Sequence, residues 1–233
     1  MRLNSHFGSV INEHFKFGSS NRGTILPRSA DGKSDVDYMI VFDEDTSTKP
    51  QTLLSRLRRF VETKYSTSDF RQSSPTIILS LNHIHFELVP AVRSTGGLQI
   101  PAPSSDYIEW MHTYPYTADK AISDHNANNK FQSKPLVRLL KFWNAQADPY
   151  SRPFSSFELE QFVTGKYFYL CTNIKDYFYD AVKSLPDGWD RAASKRDRIS
   201  RLKEIAAKAQ QLERDDMPYS AETEIKKAIP VFA

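Results

Sequence analysis

The chain has 233 residues, of which 39% are hydrophobic, and a formal net charge of +3. The apolar content is enough for a sizeable core, and the charge is too small to indicate a nucleic-acid partner by itself. No apolar run reaches the roughly 18 residues that cross a bilayer, and no secretion signal opens the chain, so we expect a cytoplasmic protein with no membrane partner. The single Cys171 lies beside no Cys or His cluster, which argues against a disulfide or a structural zinc site.

The first half of the chain combines helix and strand patterns. Apolar residues from Leu3 to Phe15 recur at helical spacing and predict a short helix before Gly18. The β-branched and aromatic run 36–42 predicts a strand, and Pro50 opens a helix with one apolar face. The runs 76–81 and 84–89, joined by two residues, predict a β-hairpin.

Beyond Pro101 the pattern becomes almost entirely helical. Pro135 opens a helix whose apolar stripe includes Trp143, and a charged helix is predicted from about Ala192 to Arg214. The many aromatics of residues 157–182 could form a base-stacking surface, but their helical spacing favours a core. The basic stretches 56–59 and 195–203 could face phosphates, although interleaved Leu and Ile favour solvated faces of amphipathic helices.

A pair of acidic residues, Asp35 and Asp37, opens the strand 36–42. Alternate residues of a strand project from one face, so both carboxylates point the same way. Adjacent carboxylates repel unless a cation neutralises them, and hard divalent ions prefer oxygen ligands. A solvated strand edge is the alternative for such a pair on its own.

Glu87, in the second strand of the hairpin, can join the two aspartates. Alternation places His85 and Glu87 on one face of that strand, opposite Ile84, Phe86 and Leu88. Three carboxylates could hold two ions, which would activate a hydroxyl and stabilise departing pyrophosphate. A zinc site at His83 and His85 is the weaker alternative.

A Gly18-Ser19 pair in a stretch of small and hydroxyl residues precedes the acidic strand. Such a segment lets backbone N–H groups approach a phosphate closely, although a Gly-Ser pair is usually only a turn. The pair therefore indicates a phosphate-binding segment only in combination with Asp35 and Asp37, which follow it.

Taken together, these motifs resemble the DNA polymerase β-type nucleotidyltransferase superfamily, and within it the CD-NTase (SMODS-type) group. That group comprises bacterial relatives of cyclic GMP-AMP synthase and oligoadenylate synthase. The resemblance spans nearly the whole chain and rests on these matches: Gly18-Ser19, Asp35-Val36-Asp37, Phe86 to Ala91, Ile100-Pro101, Trp110, Pro115, Leu139 to Trp143, and Ser156 to Glu160.

The resemblance implies roles for individual residues. Asp35, Asp37 and Glu87 would be catalytic residues and ligands of two Mg2+ ions, which Mn2+ could replace. Gly18, Ser19, Lys141, Ser156 and Phe157 would bind nucleotide: Lys141 and Ser156 through the triphosphate, and Phe157 by stacking on a base. Without the resemblance, the sequence favours the interpretation of Lys141 as a solvent-facing lysine beside an apolar stripe.

The chain also departs from the family pattern. Glu87 stands where aspartate is common, and its extra methylene could displace an ion. The stretch 27–33 lengthens the loop before Asp35, and the chain is shorter than most relatives. No Cys/His cluster is present for the zinc insertion of the animal DNA sensor, so no duplex-DNA activator is implied.

We therefore expect an α+β fold, with a nucleotidyltransferase sheet and flanking helices over residues 1–104 and an all-helical lobe over 105–233. The expected enzyme joins ATP or other nucleoside triphosphates into a cyclic or linear oligonucleotide signal in antiphage defence, with a regulatory or effector protein as a further partner. One alternative is transfer to a tRNA, protein or small-molecule acceptor. The other is a catalytically inactive nucleotide-binding relative.

Overall fold

A computed structural model describes residues 2–73, 75–82, 84–103 and 108–231. The chain divides into a sheet unit, Met1–Arg28 with Lys33–Lys120, and a helical unit, Ser29–Gly32 with Ala121–Ala233. The boundary expected at residue 104 lies outside the described residues. The sheet unit extends further along the chain, to Lys120, and the helical unit takes in Ser29–Gly32.

The described part of the sheet unit contains seven strands and three complete helices. The strands are β1 Ile11–Lys16, β2 Val36–Phe42, β3 Phe70–Ser73, β4 Thr76–Leu81, β5 Ile84–Ser94, β6 Gly97–Pro101 and β7 Trp110–Thr113. The helices are α1 Arg2–Phe7, α2 Gly18–Arg22 and α3 Pro50–Lys64, and a single turn of 3-10 helix spans Gly8–Val10.

Five strands follow the order β1-β2-β5-β4-β3, and β6 and β7 extend from β5. The β2–β5 pair is parallel, whereas the other described pairs are antiparallel. The predicted hairpin is confirmed, because Leu81 of β4 pairs with Ile84 of β5 across a two-residue connection. Asn82 in that connection has φ 53°, a left-handed conformation that asparagine tolerates better than most residues.

The two faces of the sheet bury different sets of side chains. On one face α3 packs its predicted apolar stripe, which includes Leu53 and Leu57, against Ile40 and Phe42 of β2 and Leu88 of β5. The opposite face carries a smaller cluster: Met39, Val41, Ala91 and Leu98. Because side chains alternate along a strand, odd-numbered residues of β2 and β5 belong to this second face.

The helix predicted from Leu3 to Phe15 is wrong in its second half. Helix α1 ends at Phe7, Gly8 adopts φ 56°, and residues from Ile11 onward form β1. Strand β1 pairs antiparallel with β2, placing Phe15 opposite Met39. Pairing with β2 therefore overrides the local helical spacing.

The helical unit holds the helices after β7. They are α4 Pro115–Asn128, which begins in the sheet unit, then α5 Ser133–Ala145, α6 Ser156–Thr164, α7 Ile174–Lys183, α8 Ala193–Arg214 and α9 Pro218–Ile225. Trp143, Leu136 and Leu140 of α5 lie in its core with Leu159 of α6 and Ile199 of α8. The α+β fold class is confirmed, although β7 shows that the chain beyond Pro101 is not all helical.

The aromatic segment 157–182 is only partly a core element. Tyr177, Phe178 and Tyr179 of α7 are buried, as the spacing predicts. Tyr167 and Tyr169 are 83% and 70% exposed, because α6 ends at Thr164 and the residues before α7 are not helical. The core interpretation is therefore wrong for these two residues. No helix within the described residues is long and apolar enough to span a membrane.

Candidate active site

Three carboxylates meet on the face of the sheet opposite α3. Asp35 immediately precedes β2 and Asp37 lies within it. Both occupy alternate positions with Met39 and Val41 and so belong to the same face of the strand. The parallel register of β2 and β5 places Glu87 directly beside Asp37. The structure thus brings Asp35, Asp37 and Glu87 together, each from the position that the sequence predicts.

The surroundings of Glu87 oppose ionisation of its carboxyl group. The pKa of its carboxyl is raised from 4.5 to about 7, mainly by burial and in addition by the charges of Asp35 and Asp37 and a hydrogen bond with Asp35. A carboxyl group in such surroundings keeps its proton near neutral pH and shares it with a neighbouring carboxylate. The repulsion within the group is therefore relieved by a proton.

The donor chemistry of this group suits a hard divalent cation. All three side chains offer only oxygen ligands, and a bound cation would replace the proton that Glu87 holds. As the side chains stand, no group of three or more His, Cys, Asp or Glu is arranged as a ready metal cage among the described residues. His85 is half-buried on β5, and no zinc-binding cluster forms around it among the described residues. His83, the other residue of the zinc alternative, lies outside the described residues.

Gly18 allows α2 to approach Asp37 closely. Its φ is 69°, and a Cβ built there would lie 2.7 Å from Cγ and 3.0 Å from Cβ of Asp37. Carbon atoms pack at about 3.5–4.0 Å, so no other residue fits without moving Asp37. The Phe17 N–H also donates to the Asp37 carbonyl at 3.0 Å. Gly18 and the half-buried Ser19 thus lie beside the acidic group, as the spacing predicts.

The far end of α2 is anchored by residues that the sequence analysis did not identify. Arg22 is buried and pairs with Asp119 of α4 at 3.4 Å, and Asn21 donates to the same carboxylate at 2.5 Å. This pairing fixes the short helix that carries Gly18. Arg22 and Asp119 are 97 residues apart, so no local pattern links them.

Arg71 is a second residue that the sequence analysis missed. The registers align Arg71 of β3 with Ile78 of β4, and Ile78 with Glu87 of β5. Directly paired residues project from the same face, so Arg71 belongs to one row with Ile78, Glu87 and Asp37. Its positive charge lowers the pKa of Glu87 and opposes part of the carboxylate repulsion. Only the strand register reveals this relation.

Lys141, predicted to contact triphosphate, lies inside the helical unit. It is 5% exposed, and its Nζ lies 2.5 Å from Oε1 of Glu160, which is 3% exposed. The alternative reading of Lys141 as a solvent-facing side chain is therefore wrong. The ion pair joins α5 to α6 and offsets the cost of burying both charges.

Ser156 and Phe157 lie at the exposed start of α6. Ser155 caps this helix through a capping box with Glu158, and Phe157 is 46% exposed. Ser156 lines a polar cavity of 270 Å³ together with three basic side chains: Arg152, Arg191 and Lys195. Sequence reasoning missed this basic lining, because Arg191 and Lys195 are far from Ser156 along the chain and no local pattern links them to Arg152.

The arginines of this cavity are held by carboxylates of the same unit. Arg152 donates to both oxygens of Asp31 at 2.8 and 3.0 Å, and Arg191 pairs with Glu158 at 2.8 Å. The pair with Asp31 explains why Ser29–Gly32 groups with the helices. The lengthened loop at residues 27–33 thus contributes a buried partner for Arg152.

Comparison with known proteins adds independent findings. The family model for the Second Messenger Oligonucleotide or Dinucleotide Synthetase domain (SMODS) matches residues 1–126. The cyclic AMP-AMP-AMP synthase of an Acinetobacter strain is 25% identical over 202 residues, which cover 83% of this chain and 57% of that protein. The chain thus spans less than two thirds of this relative.

Solved structures share the fold. The cyclic AMP-GMP synthase DncV of Vibrio cholerae matches with a TM-score of 0.73 at 12% identity, covering 93% of this chain and 68% of that one. The CdnE c-di-GMP synthase of Capnocytophaga granulosa matches with a TM-score of 0.67 at 16% identity, covering 95% and 79%. DncV has also been solved in a GTP-bound form and a 3'-deoxy ATP-bound form.

Proposed function

The chain belongs to the family of Second Messenger Oligonucleotide or Dinucleotide Synthetase domains, and on that premise we propose that it is a magnesium-dependent nucleotidyltransferase. It joins nucleoside triphosphates into a cyclic or linear oligonucleotide and releases pyrophosphate. The observation that carries this proposal is the group formed by Asp35, Asp37 and Glu87 on neighbouring parallel strands.

Nucleotidyltransferases of this family are typically metal-dependent. The fitting ligands in this chain are the carboxylates of Asp35, Asp37 and Glu87, and we propose two Mg2+ ions, with Mn2+ as a substitute. When bound, such ions activate an attacking hydroxyl and stabilise the charge of the departing pyrophosphate.

The chain's own residues prepare this site. Glu87 releases its proton when a cation replaces it, so ion binding is coupled to the pKa of about 7. Gly18 leaves room for the Asp37 carboxylate, and the anchored α2 keeps the Ser19 segment beside it. We propose that Gly18 and Ser19 contact a phosphate of the nucleotide.

The contacts expected from Lys141, Ser156 and Phe157 remain part of the proposal. The basic cavity beside Ser156 supports a triphosphate contact for this residue. The 46% exposure of Phe157 supports the proposed stacking of its ring on a base. Lys141 would need to share its ammonium group between Glu160 and a phosphate, so its contact is the prediction that the structure supports least.

The activity named for the Acinetobacter relative makes ATP the first substrate to test. Incubating the chain with each of the four nucleoside triphosphates and Mg2+, and with their mixture, should give phosphatase-resistant products without any added acceptor. Asp37→Asn should abolish these products. A role in antiphage defence is part of the proposal and would be tested by phage challenge of cells carrying the wild type or Asp37→Asn.

Transfer to a separate acceptor is the second candidate. The acidic group on β2 and β5 would serve that reaction equally well, so the geometry alone does not separate the two. Turnover that requires an added tRNA, protein or small molecule would overturn the signal-synthase proposal. Pyrophosphate release that is equal in the wild type and in Asp37→Asn would instead indicate a nucleotide-binding relative without catalysis.

A further inference from the structure

We propose that the helical unit carries a second binding site, for a phosphate-bearing small molecule, in a basic cavity formed by α5, α8 and the chain that follows α9. The site goes beyond the proposed function and uses none of its residues. The cavity has a volume of 310 Å³. Its lining residues are Trp143, Gln146, Arg198, Arg201, Leu202, Ile205, Lys226, Lys227, Ala228 and Pro230.

The charge of this cavity is of one sign. Four of its lining residues are basic and none is acidic. The two lysines are partly neutralised, because Lys226 pairs with Glu222 at 2.6 Å and Lys227 with Glu224 at 2.7 Å. No carboxylate of the described residues lies within ion-pair distance of the two arginines, Arg198 and Arg201. A bound anion can supply a counter-charge for them.

Arg198 is positioned in the cavity by contacts that leave part of its guanidinium unsatisfied. Nη2 donates to the Trp143 carbonyl at 2.7 Å, and the guanidinium lies 5.4 Å from the centre of the Trp143 ring. Its Nε is buried and has no hydrogen-bond partner among the described residues. A buried donor without a hydrogen-bond partner is unfavourable, and an anion can supply the missing acceptor.

Like-charge repulsion adds to this cost. Burial lowers the pKa of Arg198, and the neighbouring charge of Arg201 lowers it further. The cavity therefore holds two adjacent cations that disfavour each other in the absence of an anion. A bound anion would stabilise both of them, which is the electrostatic situation of a phosphate site.

The chemistry of the lining suits a phosphate group. Guanidinium groups bind phosphate oxygens through paired N–H donors, and the amide of Gln146 offers a further neutral donor. Trp143 and Leu202 supply apolar surface that can cover the rest of a small ligand. Inorganic phosphate, pyrophosphate and nucleotides share the required group.

Calorimetric titration of the full chain, with EDTA present to remove divalent ions, tests the site. Inorganic phosphate, pyrophosphate and ATP are titrated separately into the wild type, Arg201→Ala and Arg196→Ala. Arg196 is exposed on the same helix and outside the cavity, so Arg196→Ala makes the same charge change as a matched control. Thermal unfolding of each variant verifies that it is folded, and Asp37→Asn tests independence from the acidic group.

We expect at least one of the three ligands to bind, and Arg201→Ala to weaken that binding about tenfold or more, the effect of losing one charge-assisted contact. Arg196→Ala and Asp37→Asn should bind as the wild type does. Equal affinity for all three ligands would mean recognition of the phosphate group. Tighter binding of ATP that Arg201→Ala weakens would add contacts to the nucleoside in this cavity. No binding by the wild type, equal weakening in Arg196→Ala, or unchanged binding in Arg201→Ala would overturn the proposal.

Discussion

Replacing Gly18 by alanine should disable the acidic group while leaving the fold intact. The new Cβ would lie 2.7 Å from Cγ of Asp37, whereas carbon atoms pack at about 3.5–4.0 Å. Asp37 must therefore move by about 1 Å. A displacement of that size in a catalytic group costs about a hundredfold in rate.

The same substitution also strains the backbone, and Gly8→Ala measures this second effect alone. Gly8 has φ 56° and Gly18 has φ 69°, so each alanine would pay the left-handed penalty of about 1–2 kcal/mol. Among the described residues, apart from its chain neighbours, no atom lies within 4 Å of a Cβ built at Gly8. Denaturant unfolding should thus show similar losses in the free energy of unfolding for the two variants. Any additional loss in Gly18→Ala would come from the contact of its Cβ with Asp37.

Pyrophosphate release with saturating nucleotide and Mg2+ completes the comparison. Gly18→Ala should lose about a hundredfold in kcat, and Gly8→Ala should retain the wild-type value. Equal activity of the two variants would refute the reasoning, because it would show that contact between α2 and Asp37 does not position the carboxylate.

Three further predictions concern the charges and caps of the two units. The folded-state pKa of Glu87 is raised from 4.5 to about 7, so the native state holds an extra proton between these two pH values. Without metal, the free energy of unfolding should therefore fall as the pH rises from 4.5 to about 7. In thermal unfolding, Glu87→Gln should flatten this decline, and Mg2+ at pH 8 should restabilise the wild type but not this variant. Lys141→Met should cost about 3–5 kcal/mol in denaturant unfolding by removing the ammonium group beside the buried Glu160 carboxylate. Adding Glu160→Leu should recover much of this loss, and additive losses would contradict the pairing. Ser155→Ala should destabilise by about 1 kcal/mol through loss of the α6 cap, and an unchanged unfolding midpoint would argue against it.

The sequence was informative where local patterns agree with tertiary structure. The apolar face of α3, the β4–β5 hairpin and the position of Glu87 follow from helical spacing and strand alternation. The alternation argument succeeds because a residue's parity in a strand fixes its face once both strands join one sheet. The parallel pairing of β2 with β5 was not predicted, because no local pattern encodes it.

The misses arose where partners distant in the chain decide the outcome. The residues of β1 have helical spacing, but a strand forms because β2 offers a partner, and Gly8 ends α1 with a positive φ. Arg71 and the Arg152–Asp31 pair depend on register and on contacts between residues up to 121 positions apart. Tyr167 and Tyr169 were misjudged because the end of α6 removes the helical periodicity that would have buried them.

Counting bound Mn2+ tests the central claim most directly. Electron paramagnetic resonance can follow the titration of Mn2+ into the chain with a non-hydrolysable ATP analogue, for the wild type and for Asp37→Asn. Asp43→Asn, at an exposed position just after the end of β2, is the matched control. The account predicts two ions per chain for the wild type and the control, and a loss of tight binding in Asp37→Asn. Equal binding by the wild type and Asp37→Asn would contradict it.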